Sequence, residues 1–375
     1  MKWNEEHGLL PLAHFASMRA TEPVAYQNGA WHVYRYEDAK AIFADPGRFS
    51  SEMSDSPSPD VPIEHSILRR DPPKHRQLRA LVTQAFTPRA IEALAPRIET
   101  LAHELLDKAE ARGGMDAIGD FAGPLPVLVI AEMLGIPSRD REQFKEWSDA
   151  LVGTDYDRFM QCQREMSDYF GRIADERKRN PHDDLISRLV QAEADGSPLA
   201  PVELIGFCIL LLVAGNETTT NLLGGALLCF DDRRDDWEAI RDDRSLLSGA
   251  IEETLRYCSP VLNMTRRVRQ TAVVADRKLE AGEYVHLWIG SANHDEAVFE
   301  RPDRFDIRRS PNQHLAFGHG IHFCLGAQLA RLEARIALGA LLDRFPNFRR
   351  DRTAPLERVD SSFVFGVKHL PVLLS

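Results

Sequence analysis

The stretch FGHGIHFCLG, residues 317–326, places three glycines, two histidines and one cysteine within ten positions. Glycines at 318 and 320 open backbone conformations closed to other residues, and their missing side chains let a flat ligand lie close to the main chain. Gly326 can do the same beyond the cysteine. Apolar spacing predicts that the last long helix starts at Cys324, with Leu325, Leu329, Leu332 and Ile336 on one stripe. The first N–H groups of a helix lack partners and its dipole favours negative charge, so the cysteine is placed to be a thiolate. A thiolate there is either a nucleophile or a metal ligand. His322 could serve such a nucleophile as base, or join Cys324 as half of a zinc site, although no second half has a recognisable spacing. The commonest fate of a cysteine is neither role but burial as a small apolar side chain.

The segment LLLVAGNETTTNLL, 210–223, is an unusual helix interior. Gly215 and the threonines at 218–220 have weaker helix propensity than the leucines around them. Phe207, Leu211, Ala214 and Thr218 share a face, so small Ala214 precedes the Thr218 hydroxyl by one turn. A threonine hydroxyl that bonds the carbonyl four residues back loosens a helix, which would open a niche beside Gly215 of the size dioxygen or water needs. The plainer alternative is a buried helix with an awkward polar patch. His75 and Arg79 share one helix face, and Glu253 and Arg256 share another; alone, such pairs mark an ordinary solvated surface.

Several elements must hold these residues. PVAYQNGAWHVY, 23–34, predicts a hairpin turning at Asn28-Gly29. Residues 55–70 read as a loop, and Asp71-Pro72-Pro73 as a helix start with Asp as its cap. Helical periodicity fills most of 71–255, with breaks at 113–114, 135–138, 180–184 and 195–198. After Pro260 the alternating TAVVADRKLEAGEYVHLWIG predicts a small sheet within 261–290. The outline is a single domain over 1–375, mainly α with a minor β region, a cysteine loop at 317–326 and a final long helix from 324.

A net charge of -11 gives no electrostatic reason to expect nucleic acid. The N-terminal sequence has no signal or anchor pattern, and the apolar run FCILLLVAG, 207–215, is too short to cross a bilayer. The five cysteines are odd in number and scattered, which suits a reducing compartment rather than a disulfide framework. A soluble cytoplasmic protein, without membrane or nucleic-acid partners, is expected.

FGHGIHFCLGAQLAR resembles the cysteine-ligand loop of the cytochrome P-450 family, the haem-thiolate monooxygenases, which carry Phe, two glycines, a basic residue, Cys and Gly in this order. Similarity in motif order extends from the first hairpin to the C-terminus. The resemblance implies a triangular helical fold with haem b between the oxygen-activation helix and the cysteine loop. It makes Cys324 the axial iron ligand, with Phe317 beside the sulfur. It assigns His75, Arg79, Arg266 and His322 to the haem propionates, and leaves His319 as a basic residue of the surface nearby. LLLVAGNETTT resembles the family's oxygen-activation motif, which sets Ala214 against the haem and makes Glu217 and Thr218 a proton relay. Glu217 stands where many bacterial members have Asp, which keeps the carboxylate but shifts its reach. Glu253 and Arg256 resemble a Glu-x-x-Arg pair that meets an arginine from a Pro-x-Arg-Phe stretch, here Arg304.

The activity so implied is insertion of one oxygen atom from O2 into an apolar small molecule. Electrons would come from a separate ferredoxin or flavodoxin with its NAD(P)H reductase. Apolar candidates for the substrate wall include Leu68, Phe207, Leu211, Val261, Leu262, Met264, Phe363 and Val364. They suit a fatty acid, steroid or terpenoid, and Arg69 or Arg70 would hold a carboxylate if the 55–70 loop folds inward. Two other readings remain: a haem-binding sensor or carrier without turnover, and a cysteine hydrolase built on Cys324.

Overall fold

The hairpin forms where the Asn-Gly pair requires it. Asn28 and Gly29 take φ of 51° and 81°, and strands Val24–Gln27 and Ala30–Val33 pair antiparallel around them. The computed structural model describes residues 1–83, 86–152, 155–194 and 197–374, so Asp195 and Gly196 of the expected 195–198 break lie outside the described residues. The hairpin does not stand alone. Ala30–Val33 runs parallel to Tyr284–Leu287, which pairs antiparallel with Met264–Val268, and Phe49–Ser50 forms the far edge of the same sheet. Val33, Val285 and Leu287 point from this sheet into a core shared with Ala39, Ile42 and Phe43. The chain is mainly α with this minor β region.

Two compact units arise. The first comprises Met1–Ser50, Ala95–Ala122 and Thr218–Ser375; the second comprises Ser51–Leu94 and Gly123–Glu217. In the first, helix Ala327–Arg344 buries Leu329, Leu332, Leu338 and Leu341 and packs on helices Ala95–Glu110 and Leu246–Tyr257. This helix starts three residues later than its apolar stripe predicts, because Cys324 donates its N–H to the Phe317 carbonyl at 2.9 Å. The loop therefore closes on itself first, and Gly326 becomes the residue before the helix.

In the second unit the expected breaks have local causes. Gly135 takes φ of 72°, and helix Tyr156–Arg179 stops at Asn180 before Asp184 caps Leu185–Gln191 by accepting from the Ser187 N–H at 2.7 Å. Helix Lys74–Thr83 follows Asp71, whose carboxylate accepts from the Ser51 N–H at 3.1 Å and whose carbonyl accepts from His75.

Pro201–Asp232 is one unbroken helix of 32 residues, so Gly215 and the threonines do not interrupt it. The full helix is long and apolar enough to cross a membrane by length and composition, which the shorter run at 207–215 did not suggest. Its polar middle is instead fastened sideways to protein. Asn216 donates to the Ser148 hydroxyl, and the Thr220 hydroxyl donates to the Ala122 carbonyl at 3.1 Å. Gly215 also has a packing use: a Cβ there would lie 2.9 Å from Ile130 Cδ1. On that side of the helix the glycine makes room for Ile130.

Candidate active site

Cys324 is exposed, whereas Cys162, Cys208, Cys229 and Cys258 are buried. The difference originates in the glycine loop. Gly318 and Gly320 take φ of 71° and 73°, a region costly for residues with a Cβ. At Gly320 a Cβ would also meet the Phe43 carbonyl oxygen at 2.6 Å, so the loop sits directly on the end of helix Tyr36–Ala44. Phe43 serves a second residue as well. The Arg266 guanidinium lies 5.1 Å from its ring centroid and donates to the Thr265 carbonyl at 2.9 Å. Arg266 is only 4% exposed, while its strand neighbour Arg267 is half-buried. His322 ends the short 3-10 turn Gly320–His322 and is half-buried.

Phe317 is fixed by charges that sequence spacing does not reveal. Arg331 stands 4.5 Å over its ring, and Glu252 receives Arg331 at 2.6 and 2.7 Å and His314 at 3.1 Å. Burial alone would raise the Glu252 carboxyl. The hydrogen bonds from Arg331 and His314 outweigh it and hold the pKa at about 2.

Glu253 and Arg256 form a fully buried ion pair at 2.8 Å. The expected third member is replaced. Arg304 is exposed and contributes only its carbonyl, which accepts from Arg256 at 3.0 Å. Arg309 supplies the charge, donating to both Glu253 oxygens at 3.2 and 3.1 Å. The turn at 302–309 explains the exchange: it presents the carbonyls of Pro302 and Arg304 inward to Arg256, and Arg309 reaches back to Glu253. Asn312 Nδ2 and the Asp306 N–H complete the carboxylate at 3.1 and 2.8 Å. This network braces the segment that leads into the cysteine loop.

Cys324, Phe317, His322, Arg266 and Thr218 belong to the first unit; His75, Arg79, Ala214 and Glu217 belong to the second. Glu217 and Thr218 are adjacent in the long helix and both half-buried. Ala214, one turn earlier, is exposed in a helix whose Phe207, Leu210, Leu211 and Leu212 are buried. His75 is buried and Arg79 half-buried on the same face of Lys74–Thr83, a helix tied to the long helix by Lys74–Glu203 at 2.6 Å.

Haem fits the residues of the first unit, Cys324 and Arg266. Among the described residues no group of three or more His, Cys, Asp or Glu could hold a metal ion. A porphyrin would bring its own nitrogen donors to a metal held by the exposed Cys324. At Gly318 nothing lies nearer a Cβ than the His322 carbonyl oxygen at 3.8 Å, whereas the expected room at Gly320 is taken by the Phe43 and Ala44 backbone, so that glycine serves loop packing rather than a flat group. A buried arginine such as Arg266 is what an enclosed propionate requires.

Comparison with known proteins agrees. The family model described as cytochrome P-450 matches residues 127–373. The chain is 42% identical to the putative cytochrome P-450 YjiB of Bacillus subtilis (strain 168), over 98% of this chain and 95% of that one. It is 40% identical to the erythromycin C-12 hydroxylase of Saccharopolyspora erythraea, over 95% and 92% of the two chains. It superposes with a TM-score of 0.92 and 40% identity on the crystal structure of CYP109E1 from Bacillus megaterium in complex with testosterone, covering 98% of each chain.

Proposed function

The chain belongs to the cytochrome P-450 family, and from that premise we propose that it hydroxylates a largely apolar small molecule at a haem b held by Cys324. It is an oxidoreductase that uses O2, haem and a redox partner, as the family's monooxygenases do. The observation that carries the proposal is one exposed cysteine in a glycine loop, in a chain whose helix Pro201–Asp232 retains both Glu217 and Thr218. Haem with a thiolate ligand supplies reductive activation of dioxygen and transfer of one oxygen atom, the other leaving as water. The chain's residues do the rest. Arg266, His322, His75 and Arg79 bind the propionates, and Arg331 with Glu252 fixes Phe317 beside the Cys324 sulfur. The Thr218 hydroxyl holds a proton and Glu217 replenishes it.

Both units act as one catalytic domain in this reading, supported by relatives that cover nearly the whole chain. The electron donor is a ferredoxin or flavodoxin with its NAD(P)H reductase, and the odd, scattered set of five cysteines suits a cytoplasmic setting. Relatives whose names specify a macrolide hydroxylase and a testosterone complex support a bulky apolar substrate, such as a steroid, terpenoid or fatty acid.

Turnover with a surrogate ferredoxin, its reductase and NADPH tests the proposal. The wild type forms hydroxylated product, whereas a haem sensor or carrier forms none. Thr218→Ala keeps haem and substrate binding, but its product per NADPH falls by about tenfold or more as electrons divert to peroxide or water. Full coupling in that variant would remove Thr218 from the relay.

A further inference from the structure

The 61–74 segment is held down on the long helix at two points within the second unit. At Gly206 a Cβ would lie 2.1 Å from the Pro62 carbonyl oxygen and 3.4 Å from the Ser66 nitrogen, so the loop backbone rests directly on the helix. Lys74 and Glu203 close the other end at 2.6 Å. The loop therefore folds inward, and the 3-10 turn Ile67–Arg69 lies between these anchors.

Two adjacent arginines in this loop have different surroundings. Arg70 hydrogen-bonds His65 Nδ1 at 2.9 Å. Arg69 is walled by protein: burial lowers its pKa below the ordinary value, opposed only by the charge of Glu64. Burial also lowers Arg234 and Arg358, but each of those donates to backbone carbonyls. Among the described residues no acceptor lies within hydrogen-bond distance of the Arg69 guanidinium, yet the side chain keeps partial access. A half-buried arginine with no acceptor in the chain is matched to an anion that arrives from outside it.

We propose that Arg69 is a specificity-determining residue that receives the carboxylate of an otherwise apolar substrate. The fork of one guanidinium matches one carboxylate, and the nearby Glu64 charge disfavours a dianion such as a phosphate ester. The apolar remainder has suitable neighbours in Ile67 and Leu68 on the turn and in Phe207 beside Gly206. The inference rests on the monooxygenase reading and narrows its substrate class to carboxylic acids.

The test is calorimetric titration of the haem-loaded enzyme at neutral pH with dodecanoate and dodecan-1-ol, each below its aggregation limit. Wild type binds the acid at least about tenfold more tightly than the alcohol. Arg69→Met, which keeps the apolar stem, brings the acid down to the alcohol's affinity and leaves the alcohol unchanged. Arg69→Lys restores part of the preference, and Arg70→Ala leaves both affinities as they are. Equal affinities in wild type, or an acid preference that survives Arg69→Met, would overturn the assignment. The reduced, carbon-monoxide-bound spectrum of the same wild-type sample separates the two levels. An intact thiolate-haem band with equal affinities overturns the Arg69 assignment alone; a missing band overturns the monooxygenase reading on which it rests.

Discussion

The segment leading into the cysteine loop and the 61–74 loop are held by opposite means. Glu253, fully buried, is met by Arg256, Arg309, Asn312 and the Asp306 N–H, while Glu252 fixes Arg331 over Phe317. Each charge there has a partner within the chain, so the loop has one arrangement. The 61–74 loop relies on a close backbone approach at Gly206 and one ion pair, and leaves Arg69 without an acceptor among the described residues. The contrast teaches a division of labour. Rigid, self-satisfied polar networks hold the residues that carry the chemistry, and a lightly fastened loop presents the group that chooses what is oxidised.

Removing the charge at the centre of the first network has the largest expected effect. Glu253→Ala leaves Arg256 buried without its carboxylate and costs about 3–5 kcal/mol, read in denaturant unfolding and in lost haem incorporation. Arg304→Ala, at an exposed position, stays within about 0.5 kcal/mol. A comparable loss in Arg304→Ala would restore that residue to the network in place of Arg309.

Gly206→Val attacks the other region. Its side chain must push Pro62 away, at a cost of about 1–3 kcal/mol in unfolding experiments, and substrate affinity falls while the thiolate-haem spectrum persists. An unchanged affinity would detach the loop from substrate recognition.

Among the substitutions expected to cost stability, Glu252→Gln gives the smallest effect, about 1 kcal/mol at neutral pH, with a pH signature. The folded pKa of about 2 lies below the ordinary 4.5. The carboxylate's contribution is therefore fully present above about pH 4.5 and lost as pH falls through 2. Unfolding measured across that range should show a flatter acid limb in the Gln variant; an identical limb would mean that Glu252 is not held by Arg331 and His314.

What the sequence made legible followed from local rules. Asn28-Gly29 specified its hairpin, and the alternation after Pro260 specified strands, but nothing local indicated that Ala30–Val33 would pair with Tyr284–Leu287 across some 250 residues. FGHGIHFCLG drew attention to Cys324 because glycine, histidine and cysteine are rarely so crowded. Arg309 was missed in favour of Arg304 because the choice depends on which way a turn faces, and side-chain spacing does not encode that. Glu252, His314 and Arg331 left no local signal, since the partners are 62 and 79 residues apart. The approach of Ile130 gives Gly215 a packing reason that its own segment does not announce.

The central claim is that Cys324 holds a haem through its thiolate. The most direct test is the absorption spectrum of the purified protein, reduced with dithionite and exposed to carbon monoxide. A strongly red-shifted Soret band that disappears in Cys324→Ser is the predicted result. An ordinary haem–carbon monoxide band, or no haem band after haem supplementation, would contradict it.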